Sequence, residues 1–215
     1  MPQLYRRPVN QAGGVYHIFN RGVNKAVIFR NAADYAMYIG YLKDYLQPKI
    51  ESVREAYTSN LPAQIITYKI LKLHRIKNYS ENIELMAFCL MPNHIHILVR
   101  QSNSNDVADF LKSLHTRYSM YFNRKYKREG TLFQSKYKSK LVKTDQYLVY
   151  VSKYIHANPI GLCTRLENYL WSSMAYYHKK KHPLWLHTDL VMKKFVISPY
   201  TKTYSNYLEY VKDGH

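Results

Sequence analysis

Apolar residues alternate in some stretches of this chain and recur every three or four positions in others, and the change of period outlines its elements. Residues 13–22, GGVYHIFNRG, put Tyr16 and Ile18 on one strand face and Val15, His17 and Phe19 on the other, with turn residues from Asn20 to Gly22 ending the run. Residues 31–46 carry Tyr35, Tyr38, Ile39, Leu42 and Leu46 at helical spacing, behind Asn31 as N-cap and Asp34 in the first turn. The pattern weakens over 47–80, a basic insertion with Lys72, His74, Arg75 and Lys77 that reads as a solvated loop in preference to a nucleic-acid flank. Two strand-like runs, 82–90 and 94–100, meet through Met91-Pro92-Asn93 and predict an antiparallel hairpin. A second helix covers 106–126 on Val107, Phe110, Leu111, Leu114, Tyr118 and Phe122, with Gly130 just past its end. KYKSKLVKT, residues 136–144, offers another strand, and Thr144 caps a last helix that Pro159 stops.

Strand, helix, strand, strand, helix, strand, helix is the split β-α-β order, so the expected fold is α+β, a ferredoxin-like (RRM-like) antiparallel sheet with helices on one face. Residues 1–165 form the expected domain, and 166–215 a basic, aromatic C-terminal extension that either binds DNA or packs to close the domain. Within the extension Trp171 and Trp185 are expected to pack, and Lys179, Lys180 and Lys181 to meet phosphate.

Composition narrows the partner. Lys and Arg total 32 against 14 acidic residues, a formal charge of +18, which favours a polyanion and opposes bare self-association. Twenty-three tyrosines interleaved with that charge suit an unpaired nucleic-acid strand, although most rings are needed for packing. The first ten residues lack a hydrophobic signal core, and the apolar run near 85–91 falls far short of the roughly 20 residues of a membrane span, so a cytosolic, membrane-free location is expected. Cys89 and Cys163 form no Cys-x-x-Cys pair and are expected to be free thiols.

Candidate chemistry lies in CLMPNHIHILVR, residues 89–100. Strand alternation gives His94 and His96 a common face with backbones about 6.6 Å apart, where one metal ion could bridge them or where both could simply be hydrogen-bonded. In the last helix Tyr154 and Asn158 are spaced i, i+4, one above the other. A carboxamide oxygen can ligate a hard cation and a phenol can act as nucleophile, so the four together would make a phosphoryl-transfer site if the helix meets the hairpin. Singly, Tyr154 reads as a packing residue and Asn158 as a helix-end residue. His156, two positions on, faces away from Tyr154 and is expected at the surface or on DNA.

The segments YHIFNRGVNKAVIFR, FCLMPNHIHILVR, YFNRKYKREGTLFQSKYKS, YIHANPIGL and YLWSS, spread over residues 15–175, resemble in order the single-tyrosine HUH transposases, specifically the branch associated with bacterial repetitive extragenic palindromes. The resemblance implies an HUH-type nuclease that binds Mg²⁺ or Mn²⁺ through His94, His96 and Asn158. It further implies cleavage of single-stranded DNA beside a hairpin, with the new 5′ end held as a phosphotyrosine on Tyr154. A monomer in the bacterial cytosol or nucleoid is expected, with a homodimer as the alternative. Arg21, Arg117, Arg124, Lys136 and Lys138 are the further residues expected to contact DNA. A catalytically silent nucleic-acid-binding module is the principal rival. A two-histidine RNA phosphoesterase ranks lower, because only His115-Thr116 and His187-Thr188 approach its paired His-x-Thr elements.

Overall fold

The computed structural model describes residues 11–177 and 182–213. Its sheet holds β1 (Val15–Arg21), β2 (Ile83–Met91), β3 (His94–Gln101) and β4 (Lys138–Val142) in the order β2-β3-β1-β4, every neighbour antiparallel. This is the expected α+β sheet, with β1 and β3 central. Helices α1 (Ala32–Leu46) and α4 (Asp106–Tyr126) cover one face. There Ile18, Phe88, Ile95, Ile97 and Val99 from the strands pack with Tyr38, Leu42, Phe110, Leu114 and Tyr118 from the helices. The helix starts follow local chemistry: Asn31 accepts a hydrogen bond from the Asp34 amide, and Thr144 Oγ1 accepts one from the Tyr147 amide at 3.1 Å.

The second face is not left bare. Strand β2 is apolar on both sides, and a bulge between Leu85 and Ala87 sends Met86 and Ala87 to join Cys89 and Leu98 on this face. Helix α5 (Asp145–Ala157) covers them with Leu148, Val149, Val151 and Ile155, so helices flank the sheet on both faces instead of one. Residues 166–211 complete that second core through Leu166, Met174, Tyr177, Val191, Phe195, Tyr207 and Val211, the last four carried on or beside α6 (Asp189–Ile197) and α7 (Tyr207–Lys212). Trp185 is buried and Trp171 stacks on Tyr35 at 4.7 Å, as packing residues.

Two expectations change. The 47–80 stretch holds two helices, α2 (Lys49–Tyr57) and α3 (Ala63–Arg75), each begun at a proline whose missing N–H is no loss there. Helix α3 buries no residue, and Ile65, Tyr68 and Leu71 are exposed, although Ala63, Ile66, Ile70 and Leu73 recur along it at helical spacing. His156 is fully buried instead of lying at the surface. Its Nδ1 lies 2.8 Å from the Tyr207 hydroxyl and its Nε2 2.7 Å from Ser173 Oγ, which accepts from the Phe88 amide at 2.9 Å. Turning away from Tyr154 on a helix meant turning inward, because α5 has a core behind it.

Among the described residues no helix is long and apolar enough to cross a membrane, and Cys89 and Cys163 are free thiols. The Tyr207 hydroxyl also donates to Ser152 Oγ at 2.9 Å, so Tyr207→Phe removes two buried hydrogen bonds. We expect it to lower unfolding free energy by about 1–2 kcal/mol. Urea denaturation followed by circular dichroism measures this, and an unchanged midpoint would mean that the C-terminal helices do not brace the sheet.

Candidate active site

Register builds the site before any side chain is considered. His96 pairs with Phe19 and with Cys89, His94 with Arg21 and Met91, and Leu98 with His17; across β1, Lys138 pairs with Phe19 and Lys140 with His17. Opposed residues share a sheet face. His17, Phe19, Arg21, His94, His96, Lys138 and Lys140 therefore stand on the face that α5 covers, near the end where its cover stops. There an open cleft of about 410 Å³ is lined by Phe19, Arg21, His94, His96, Lys138 and Tyr154, among others.

Tyr154 is 38% exposed at this edge, its ring centroid 5.4 Å from that of His96 and edge-on to it. His94 and His96 are themselves 5.1 Å apart. Asn158, one turn beyond Tyr154, donates through Nδ2 to the Tyr154 carbonyl at 2.8 Å, and its side chain also hydrogen-bonds the His94 ring. The structure thus brings Tyr154, His94, His96 and Asn158 together.

The hairpin turn is pinned from outside. The Pro92 carbonyl accepts from the amides of Ile28 and Phe29 at 2.8 and 3.0 Å, and the Asn93 carbonyl accepts from Gly22 at 2.9 Å. Gly22 has to be glycine, since a Cβ there would lie 2.2 Å from the Ala26 carbonyl oxygen. Asn93 Nδ2 donates to the Lys25 carbonyl, which turns its Oδ1 to His94 Nδ1 at 2.7 Å.

All three site histidines are held neutral. Burial, helped by the Lys140 charge, pulls His17 down to about 4; burial, with His17 and His94 alongside, pulls His96 to about 2. Burial also lowers His94, against the Asn158 hydrogen bond and with the Arg21 charge. Neutral imidazoles keep the lone pairs a cation needs. Among the described residues no three His, Cys, Asp or Glu side chains form a metal-holding group, so the Asn158 amide is the third donor on offer. The donors fit a divalent ion by their chemistry: two neutral imidazoles stand beside a carboxamide whose Nδ2 is committed to the Tyr154 carbonyl, which leaves its oxygen for a cation. Two imidazoles and an amide oxygen suit Mn²⁺ at least as well as Mg²⁺.

The basic residues named from the sequence divide. Arg21 and Lys138 line the cleft. Lys136 is exposed beside it, its carbonyl held at 2.9 Å by Asn20 Nδ2. Arg124 is exposed in the last turn of α4 and does not line the cleft. Arg117 sits in the α1–α4 layer, paired with Asp44 at 2.8 Å and 3.9 Å over the Tyr41 ring, so its charge is engaged within the protein. Lys179, Lys180 and Lys181 lie outside the described residues. Neither His115 nor His187 lines the cleft. Sequence reasoning gave no role to His17, Phe19 or Asn93; the alternation had already put His17 and Phe19 on one face, but not beside His96.

Neutral burial has a cost in acid. The unfolded chain takes up protons on these histidines near pH 6.5 while the folded chain does not, so their contribution is present above pH 6.5 and lost as pH falls toward the depressed values. We expect each of His17 and His96 to remove on the order of 2 kcal/mol of stability by pH 5. Urea midpoints at pH 7 and pH 5 measure this; equal midpoints would contradict neutral, buried rings.

Comparisons with known proteins bear on this geometry. Residues 54–158, which hold both hairpin histidines and run to Tyr154 and Asn158, match the family model described as "Transposase IS200 like". No curated protein matches the chain. Among solved structures, one titled "Structure of the REP associates tyrosine transposase bound to a REP hairpin" aligns at 12% identity, covering 86% of this chain and 92% of that one, with a TM-score of 0.48. A likeness that distant carries no argument here. The matched span, a little under half of the chain, is similar to that family and holds the His pair, the tyrosine and the amide.

Proposed function

We propose that the protein is a metal-dependent single-stranded DNA endonuclease and strand transferase, cutting beside a hairpin and holding the new 5′ end on Tyr154. One observation carries the reading: the exposed Tyr154 ring stands with its centroid 5.4 Å from that of His96, beside His94 and with the Asn158 amide one turn away, in a cleft that Arg21 and Lys138 also line. The charge of +18 and the motif resemblance support DNA, and a hairpin in particular, as substrate.

The Tyr154 oxygen bonds to the scissile phosphorus while the bond from phosphorus to the 3′ oxygen breaks. The phenol loses a proton and the departing oxygen gains one, leaving a 3′-hydroxyl and a 5′-phosphotyrosine. His94, His96 and Asn158 would hold Mg²⁺ or Mn²⁺, which when bound would supply charge neutralisation for the phosphate. Arg21 and Lys138 grip neighbouring phosphates as positioning contacts. The phosphotyrosyl bond retains the phosphodiester's free energy, so a 3′-hydroxyl can reverse the step and rejoin strands without ATP. Action in cis by a monomer is supported by α5 being anchored to its own sheet through His156, Ser173 and Tyr207. A silent DNA-binding module of the same fold would need the basic cleft but has no use for neutral histidines, an amide and an exposed phenol held together.

A labelled single strand bearing a hairpin, incubated with protein and Mg²⁺ and run on a denaturing gel, tests the reading. Tyr154→Phe, His94→Ala and His96→Ala should each reduce covalent adduct at least about a thousandfold while DNA affinity survives; Asn158→Ala should act more mildly. Adduct formed on another tyrosine, or at full rate in EDTA, refutes the assignment. Binding should also weaken with salt, with a log–log slope of about −2 or steeper because each phosphate contact on a single strand contributes roughly 0.7. Affinity flat in salt, or equal for blunt duplex, would remove the proposed substrate.

A further inference from the structure

His17 is neither nucleophile nor ligand in this scheme, yet it touches both parts. It lies on the central strand β1, 6% exposed, with Nε2 at 3.0 Å from His96 Nδ1. The two rings stack at 5.2 Å, and the Tyr154 ring meets His17 edge-on at 5.7 Å. Two neutral imidazoles facing each other through one nitrogen apiece share a single proton. Either His96 Nδ1–H donates to the His17 Nε2 lone pair, or His17 Nε2–H donates to His96 Nδ1. In the first arrangement His96 Nε2 has a free lone pair. In the second it carries a proton and cannot bind a cation.

We propose that His17 is the positioning residue of the metal centre, accepting the Nδ1–H of His96 and so fixing the tautomer and ring plane in which His96 can ligate through Nε2. His94 is held in the same way by a different group, since Asn93 Oδ1 stands 2.7 Å from its Nδ1. The paired histidines thus have separate supports, an amide from the hairpin turn and an imidazole from β1. Both supports come from well-anchored backbone: β1 is hydrogen-bonded on both edges, and the Asn93 carbonyl is tied to Gly22. Outer partners of this kind orient a ligand and raise its basicity. His17 also contacts both His96 and Tyr154, completing a triangle of rings with centroids 5.2, 5.7 and 5.4 Å apart. The inference rests on the metal-dependent reading above and adds a residue to it.

The test needs no DNA. Mn²⁺ is titrated calorimetrically into the full chain, as wild type, His17→Phe and His17→Gln, and the His96 ring nitrogens are assigned by ¹⁵N NMR. Phe keeps a ring but accepts no hydrogen bond, so Mn²⁺ affinity should fall by about 10–100-fold. Gln should recover most of that loss, because its amide oxygen can stand where Nε2 stood. In the wild type the His96 proton should sit on Nδ1 before Mn²⁺ is added, a reading independent of how any variant folds. The proposal is overturned if His17→Phe binds Mn²⁺ as the wild type does, if His17→Gln falls as far as His17→Phe, or if wild-type His96 is protonated on Nε2. A wild type that binds no Mn²⁺ overturns the metal reading and this proposal together; a wild type that binds with His17→Phe unaffected overturns this proposal alone.

Discussion

The pairing of β1 with β3, Ile18 against Ile97 and Phe19 against His96, is the constraint on which the rest depends. Side chains alternate across a strand, so a slip of one residue would carry His94 and His96 into the α1–α4 core and turn Ile95 and Ile97 out into the cleft. Burying neutral or charged imidazoles in that layer without partners costs several kcal/mol, and exposing two isoleucines costs more. The hydrophobic core on one face therefore enforces the register that assembles the site on the other.

A sheet with two apolar faces needs two covers, and the second cover places Tyr154, the proposed nucleophile. Met86, Ala87, Cys89 and Leu98 are shielded by α5, which is held down by its own apolar stripe and by the His156, Ser173 and Tyr207 hydrogen bonds. The helix side opposite His156 is left at the edge of the cover, where Tyr154 stands 38% exposed next to the histidines. The described residues from 166 onward act at a distance in this sense: they do not line the cleft, but several of them hold the helix that does.

Charge and neutrality are partitioned within a few ångströms. The donors at the centre are uncharged, because burial and the nearby Arg21 and Lys140 all disfavour protonated histidine. Basic side chains surround them at the solvent edge, where a phosphate can reach them and where desolvation is small. The arrangement keeps the proposed cation ligands and the proposed anion contacts from competing for one position.

The amino-acid sequence by itself determined the elements with a clear period and a local stop signal. Helix α4 over Asp106–Tyr126, the hairpin turn at Pro92-Asn93 and the Thr144 cap of α5 are all written in neighbouring residues, so they were legible without the fold. The same holds for the common face of His94 and His96 and for the i, i+4 spacing of Tyr154 and Asn158, which follow from backbone geometry alone. What the sequence left open was whatever depends on residues far apart in the chain. The loop expectation misses helices α2 and α3 even though Ala63, Ile66, Ile70 and Leu73 give α3 a helical period, since neither helix is marked by a deeply buried stripe against the sheet. The burial of His156 is invisible to local pattern because its partners, Ser173 and Tyr207, lie 17 and 51 positions away. His17 had no assigned role because its contact with His96 spans 79 positions and exists only once β1 and β3 are in register. Periodicity reports which way a side chain points relative to its neighbours; only the packed sheet decides what it points at.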